Sequence, residues 1–179
     1  MSKGRQPYGQ NNEPPNKLRN SLFFKQHVLP VLQSHCPEAK TVIDIGAGNG
    51  RIAAVFSENT ALEVTAIDSQ EYNEPLVPVD ICSMEDYEGG PFDFVCLIGV
   101  AYVYQNNLKL IKEHLDRLTK EDGCVVISGE PQNTKPVTDY LREFGYNLLS
   151  CRRPDDPGKD DPEKYHTWRH YTYYIFNKK

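Results

Sequence analysis

Apolar residues fall along this chain in two alternating rhythms. Short runs that are apolar throughout or at every second position predict strands over 41–45, 63–67, 76–80, 93–98, 123–129, 146–152 and 170–176. Between them, stretches with three-to-four-residue spacing predict helices over 50–57, 105–120 and 134–144. The helix over 105–120 carries Leu108, Ile111, Leu115 and Leu118 on one face, with Lys109, Lys112, Glu113, Asp116 and Arg117 elsewhere as a solvated surface. His114 falls among those charges and is expected to be exposed. Ahead of the first strand, Leu22, Phe23, Val28, Leu29 and Leu32 form one helical stripe that Pro30 should kink or divide. Strands alternating with helices predict an α/β fold, with a doubly wound, mostly parallel, seven-stranded sheet covered on both faces. The period-two pattern of Tyr171, Tyr173 and Ile175 predicts an antiparallel last strand with a half-buried face.

One connection breaks the rhythm. Ser69 to Pro75 is too short for a parallel crossover helix, so a loop is expected between the second and third strands.

The first strand, Thr41-Val42-Ile43-Asp44-Ile45, runs into Gly46-Ala47-Gly48-Asn49-Gly50 and then a helix at Arg51. Missing Cβ atoms let a ligand lie against such a turn, and the helix start above it offers free N–H groups. Dinucleotide sites have G-x-G-x-x-G, which would place glycine at position 51; Arg51 excludes that fingerprint. Asp44, at the strand's end, has the charge to accept a hydrogen bond from a cationic amine. The same glycines would also serve a sharp strand-to-helix turn without any ligand.

The D-x-G-x-G-x-G pattern resembles the first motif of the class I S-adenosylmethionine-dependent methyltransferases, and three downstream landmarks follow in that superfamily's order. The second strand ends in Asp68, 18 positions after Gly50; the third ends in Asp80-Ile81-Cys82; Phe92-Asp93-Phe94-Val95 looks like its "FDxV" strand, with a helix and the Asp122-Gly123 turn behind it. The likeness covers roughly residues 20 to 150 and implies a Rossmann-like fold of a reduced, small-molecule-type variant, lacking one crossover helix. It implies S-adenosylmethionine as cofactor and S-adenosylhomocysteine as product. Carried over position by position, Asp44, Gly46, Ala47, Gly48 and Gly50 would hold the methionine end, Asp68 with Ser69 the ribose, Asp80 and Ile81 the adenine, and Ile98 and Gly99 the floor. A carboxylate suits the ribose because two acceptor oxygens match two adjacent hydroxyls. Asp68 and Asp80 also have plain readings as solvated turn carboxylates, and Asp93 reads as a group that positions the fourth strand.

An acceptor belongs at the carboxyl ends of the strands, across the topological switch from the glycine turn. Three places feed that rim: Tyr102 and Tyr104 after the fourth strand, Glu130 with Gln132 and Asn133 after the fifth, and Arg153 to His166 before the last. Glu130 would be a base or a clamp for an amine; alternatively, it caps the helix beginning near Thr134. Tyr104, which stands near where a group of small-molecule methyltransferases carries histidine, is a further catalytic candidate, as are His166 and His170. Trp168, Arg169 and His170 would stack on a planar acceptor at the last strand's mouth. No Asn- or Asp-Pro-Pro-aromatic tetrapeptide follows the fourth strand, which argues against methylation of exocyclic base amines, and the Lys-Asp-Lys-Glu set of ribose methylation is missing too. The four aspartates between Arg153 and Pro162 are interrupted by prolines and read as a solvated loop, so no metal is expected.

Composition narrows the class. With 179 residues, 39% hydrophobic and 25% charged, the chain suits one soluble domain. The longest apolar run, Phe94 to Ala101, is far short of a membrane span, and no signal peptide is evident, so a cytoplasmic location without membrane contact is expected. Five scattered cysteines read as core residues in a reducing compartment. The net charge of −5 is uneven: residues 1 to 26 carry five basic groups against Glu13 alone. Residues 1–20 are therefore read as a flexible basic arm and 21–179 as one methyltransferase-like domain. The expected function is methyl transfer to a small-molecule acceptor. Its rivals are a nucleic-acid or protein methyltransferase gripping its partner with the basic arm, and a scaffold subunit that keeps the fold without catalysis.

Overall fold

A computed structural model describes residues 21–152 and 171–178. The arm over 1–20 and the segment 153–170 lie outside the described residues, and with them His166, Trp168, Arg169 and His170.

The first helical segment is divided, as Pro30 implies, although the break falls ahead of the proline. Phe24–Val28 is one π-helical turn, and α1 (Leu29–His35) continues from it with Pro30 in its first turn, where a missing N–H costs nothing. Strand β1 (Thr41–Ile45) leads through the glycine turn into α2 (Arg51–Asn59). Strand β2 (Glu63–Asp68) follows, and no helix separates it from β3 (Asp80–Ile81). The expected strand over 76–80 thus shrinks to two residues placed later, because Pro75 and Pro78 remove ladder donors.

Strand β4 (Phe92–Ile98), a single 3₁₀ turn (Ala101–Tyr104) and α3 (Leu108–Leu118) come next. Asn107 caps α3 by accepting the Leu110 amide, so the helix starts three residues later than expected. It also ends earlier. Strand β5 (Thr119–Gly129) takes over at once, pairing Thr119 with Phe92 before a register shift passes the Glu121-Asp122-Gly123 stretch. His114 is half-buried, not exposed, and its Nδ1 lies 3.5 Å from Nη2 of Arg117, one turn further along α3. Helix α4 (Pro131–Glu143) begins three residues before the expected start, with Pro131 in its first turn. Strands β6 (Tyr146–Arg152) and β7 (Thr172–Lys178) finish the sheet.

The seven strands lie in the order β3-β2-β1-β4-β5-β7-β6. All neighbours are parallel except β7, which runs antiparallel to both β5 and β6. Alternate residues of the central strands feed two cores. Ile43, Ile45, Val95, Leu97, Val125 and Ile127 pack with Ile111, Leu115, Leu118, Val137 and Leu141 of α3 and α4. Val42, Phe94, Cys96, Cys124 and Val126 pack with Phe24, Val28, Leu32, Ile52 and Phe56 on the other face. Tyr173 and Ile175 join that second core, completely buried. The strand order reverses between β1 and β4, which opens a crevice at their carboxyl ends, directly beside the glycine turn.

Below this crevice, Asp93 ties the amino ends of β1 and β4 together. Its Oδ2 accepts from the amides of Lys40 and Thr41, from the Thr41 hydroxyl and from Lys120 Nζ, all at 2.9 Å. That confirms a positioning part for Asp93 at the end of the sheet opposite the crevice.

Candidate active site

The turn after β1 is built on its own hydrogen bonds. The amides of Gly46 and Ala47 both donate to the Ile67 carbonyl, at 2.9 and 3.0 Å, and Gly50 N donates to the Ala47 carbonyl at 2.9 Å. Gly46, Gly48 and Gly50 have φ of 68°, 58° and 81°, a region L side chains seldom enter. Their surroundings differ. A Cβ on Gly46 would stand 2.4 Å from Val100 Cγ1, and one on Gly50 2.6 Å from Val77 Cγ2. A Cβ on Gly48 would meet only the Tyr72 ring, at 3.8 Å. Packing therefore explains glycine at 46 and 50, whereas at 48 a side chain would fill free space over the turn.

Asp44 is placed behind the turn. It is 2% exposed, and its Oδ2 accepts the Ala53 amide at 3.1 Å in the first turn of α2. Burial pushes its carboxyl up to about 7 against the pull of the Ala53 amide, and the nearby Asp68 charge raises it further. From behind the turn, the Asp44 side chain thus fixes the start of α2.

Asp68, at the end of β2, is also largely covered, 7% exposed. Its Oδ2 accepts the Gly48 amide at 2.8 Å and its Oδ1 the Gln70 amide at 2.9 Å. Each oxygen keeps a second lone pair for a hydroxyl donor. Ile81 pairs with Asp68 in the β2–β3 ladder, and Cys82 N donates to the Asp68 carbonyl at 2.9 Å. Ile81 is 64% exposed, an apolar surface beside a carboxylate at the sheet edge, with Asp80 and Ser69 exposed nearby. Such a surface fits a nucleoside: ribose hydroxyls on the acid, a planar base on the isoleucine.

Tyr72 was not among the sequence candidates. It stands over Gly48, its phenol raised by partial burial and by the charges of Asp68 and Tyr102. Only its place in the loop after Asp68 could have drawn attention to it. Val100, capping Gly46, was missed as well, being one more residue in an apolar run.

Across the crevice a cavity of about 190 Å³ is lined by Gly99, Tyr102, Ser128, Glu130, Asn133 and Tyr171, with Gly129 and Thr134. It joins the ends of β4 and β5, the start of α4 and the approach to β7, so Tyr102 from after the fourth strand and Glu130 with Asn133 from after the fifth do come together. Gly99 is held there by its amide bond to the Ser128 carbonyl at 2.8 Å, while Ile98 is half-buried behind it. Glu130 occupies the N-cap position of α4, yet its side chain caps no backbone amide. Instead Oε2 accepts from Gln132 Nε2 at 2.8 Å and Asn133 Nδ2 at 3.0 Å. Tyr104 is not on this lining. Its ring packs against the α3–α4 core, and burial together with Glu85 drives its hydroxyl far above the usual phenol range. Among the described residues no group of histidine, cysteine or carboxylate side chains is placed to hold a metal ion.

A family model described as a methyltransferase domain matches residues 18–171. The chain belongs to that family. The resemblance to class I S-adenosylmethionine-dependent methyltransferases and the Rossmann-like fold it implied are thus confirmed. Solved structures agree with this methyltransferase fold. The 1,6-didemethyltoxoflavin-N1-methyltransferase of Burkholderia thailandensis, solved with 1,6-didemethyltoxoflavin and S-adenosylhomocysteine, superposes with a TM-score of 0.63 at 19% identity, over 96% of this chain and 93% of that one. Magnesium protoporphyrin IX methyltransferase from Synechocystis PCC 6803, solved with S-adenosylmethionine, gives 0.66 at 14% identity, over 96% and 88%. In sequence, the methyltransferase domain is similar to the ribosomal protein L11 methyltransferase of Thermotoga petrophila, at 26% identity over 147 residues. That match takes in 75% of this chain and 52% of the relative, so the chain spans about half the length of the curated relatives it matches.

Proposed function

We propose that this methyltransferase domain binds S-adenosylmethionine across the glycine turn and Asp68 and methylates a small-molecule acceptor held in the cavity beside Gly99. The observation that carries the reading is the Asp68 carboxylate, tied to the one open glycine of the turn and flanked by exposed Ile81. On this reading Gly46, Ala47, Gly48 and Gly50 offer backbone to the methionine end. Asp68 and Ser69 take the ribose, and Asp80 and Ile81 border the adenine. The cofactor supplies an activated methyl group; the chain's own residues align the acceptor and exclude water, the main demands of such a transfer. A volume of about 190 Å³ is below the usual range of drug-sized pockets, which favours a compact acceptor or a single side chain.

Calorimetry with S-adenosylhomocysteine tests the cofactor site. Binding by the full chain, weakened about tenfold or more in Asp68→Ala, is the expected result. No heat with the native chain would leave a scaffold that kept the fold without the ligand.

The similarity to ribosomal protein L11 methyltransferases favours a second reading, a protein acceptor. Removing residues 1–20 and comparing turnover on a metabolite panel with turnover on ribosomal protein separates the two. Transfer to a metabolite that survives the deletion supports the small-molecule acceptor.

A further inference from the structure

The geometry points to an acceptor that bears an amine or other N–H donor, bound through Glu130, with Gln132 and Asn133 as the residues that position that carboxylate; this rests on the reading of the cavity as the acceptor site.

Glu130 is the anionic side chain on the lining, and it is not left to rotate. Two amide donors, Gln132 Nε2 and Asn133 Nδ2, converge on Oε2 at 2.8 and 3.0 Å. Both come from the first turn of α4, whose backbone is anchored by the amides of Asn133 and Thr134 on the Glu130 carbonyl, at 2.9 and 3.0 Å. Two donors on a single oxygen hold the carboxylate in place and stop it from folding back onto the helix start. With Oε2 engaged, Oε1 has no hydrogen-bond partner among the described residues.

The rest of the lining sorts acceptors by charge. Tyr102, Ser128, Thr134 and Tyr171 add hydroxyls and aromatic edges, and among the described lining residues none is cationic. A carboxylate or phosphate acceptor would meet the Glu130 charge uncompensated at short range, whereas an ammonium or N–H group would complete it. Tyr102 and Tyr171, both on the lining, are aromatic side chains of the kind that attract cations. The acceptor class is therefore a small amine, aliphatic or heterocyclic, and not an acid.

Three probes of matched size read this directly: benzylamine, benzyl alcohol and benzoate, titrated by NMR or calorimetry into the full chain at pH 7, with and without S-adenosylhomocysteine. Benzylamine should bind about tenfold more tightly than benzyl alcohol, with benzoate weakest. Glu130→Gln should bring benzylamine down to the level of the alcohol while leaving S-adenosylhomocysteine affinity unchanged. Asn133→Ala should lose part of the amine preference and none of the alcohol binding, and Asn133→Gln should restore some of it, a pattern a merely structural role would not give. Equal binding of the three probes, undetectable benzylamine binding, or a preference that survives Glu130→Gln overturns the inference. Absence of S-adenosylhomocysteine binding with the amine preference intact strikes the methyltransferase reading alone.

Discussion

The amide of Gly48 donates to Oδ2 of Asp68 at 2.8 Å, tying the turn after β1 to the carboxylate that ends β2. The two residues are 20 positions apart, and their bond aligns the only open glycine of the turn with the acid next to it. Glycine substitutions should therefore separate folding from ligand binding. Gly48→Ala is expected to cost about 1 kcal/mol of stability for its positive φ, yet to weaken S-adenosylhomocysteine binding at least about tenfold. Gly46→Ala meets Val100 and should cost about 3 kcal/mol. Urea unfolding and calorimetry on both variants check the contrast.

Asp44 should make stability fall as pH rises. Its folded-state carboxyl, lifted to about 7 chiefly by burial, lies above the unfolded value near 3.8. The protonated form is thus the one the fold favours. Its contribution is full below the unfolded value and is lost as pH climbs through 7. Asp44→Asn, which keeps an acceptor for the Ala53 amide, should match the native chain near pH 3 and exceed it by a margin that grows up to pH 8, where it is about 1 kcal/mol or more. Urea midpoints across that range decide; parallel curves for the two proteins would show that Asp44 does not titrate.

Asp93 has the opposite sign. Partial burial alone would raise it, but the hydrogen bonds from Lys120, Lys40 and Thr41 outweigh that and hold it at about 2. The stabilisation is present above the unfolded value near 4 and disappears as pH falls toward 2. Asp93→Asn should lose about 2 kcal/mol at pH 7, and the gap to the native chain should close near pH 2.

Lys178 closes the lower edge of α3. Its Nζ donates to the carbonyls of Asp116 and Thr119 at 2.7 and 3.1 Å, serving the helix end where acceptors lack partners. Lys178→Met keeps the stem and removes the donors, and is expected to cost about 1 to 2 kcal/mol, read as a drop of a few degrees in Tm.

Much of this architecture can be read from the pattern of apolar residues, for a physical reason. Central parallel strands are buried on both faces and must be apolar along that buried stretch, as Phe94 to Leu97 of β4 are, while α3 needs the stripe of Ile111, Leu115 and Leu118. The missing helix after β2 was legible from chain length alone. What escaped depended on side-chain direction or on contacts distant in sequence. Nothing in Thr41–Ile45 says that Asp44 turns toward Ala53, and nothing in Gly99-Val100 says that the valine seals Gly46. Strand β5 was placed four residues late because Thr119 to Asp122 are polar, yet Thr119 is held by its partner across the ladder, Phe92. Of the catalytic candidates, Glu130 reaches the cavity and Tyr104 the core, while His166 and His170 lie outside the described residues.

The seating of β7 between β5 and β6 governs the order in which the molecule can be assembled during synthesis. Among the described residues strand β6 pairs with β7 alone, so it has no ladder to join until residues 172–178 have left the ribosome. Until then β5 exposes an unpaired edge, with the groups that later bond Tyr173 and Ile175 open to any passing chain. A nascent chain halted before β7 would thus carry the glycine turn but an unfinished wall beside Tyr171.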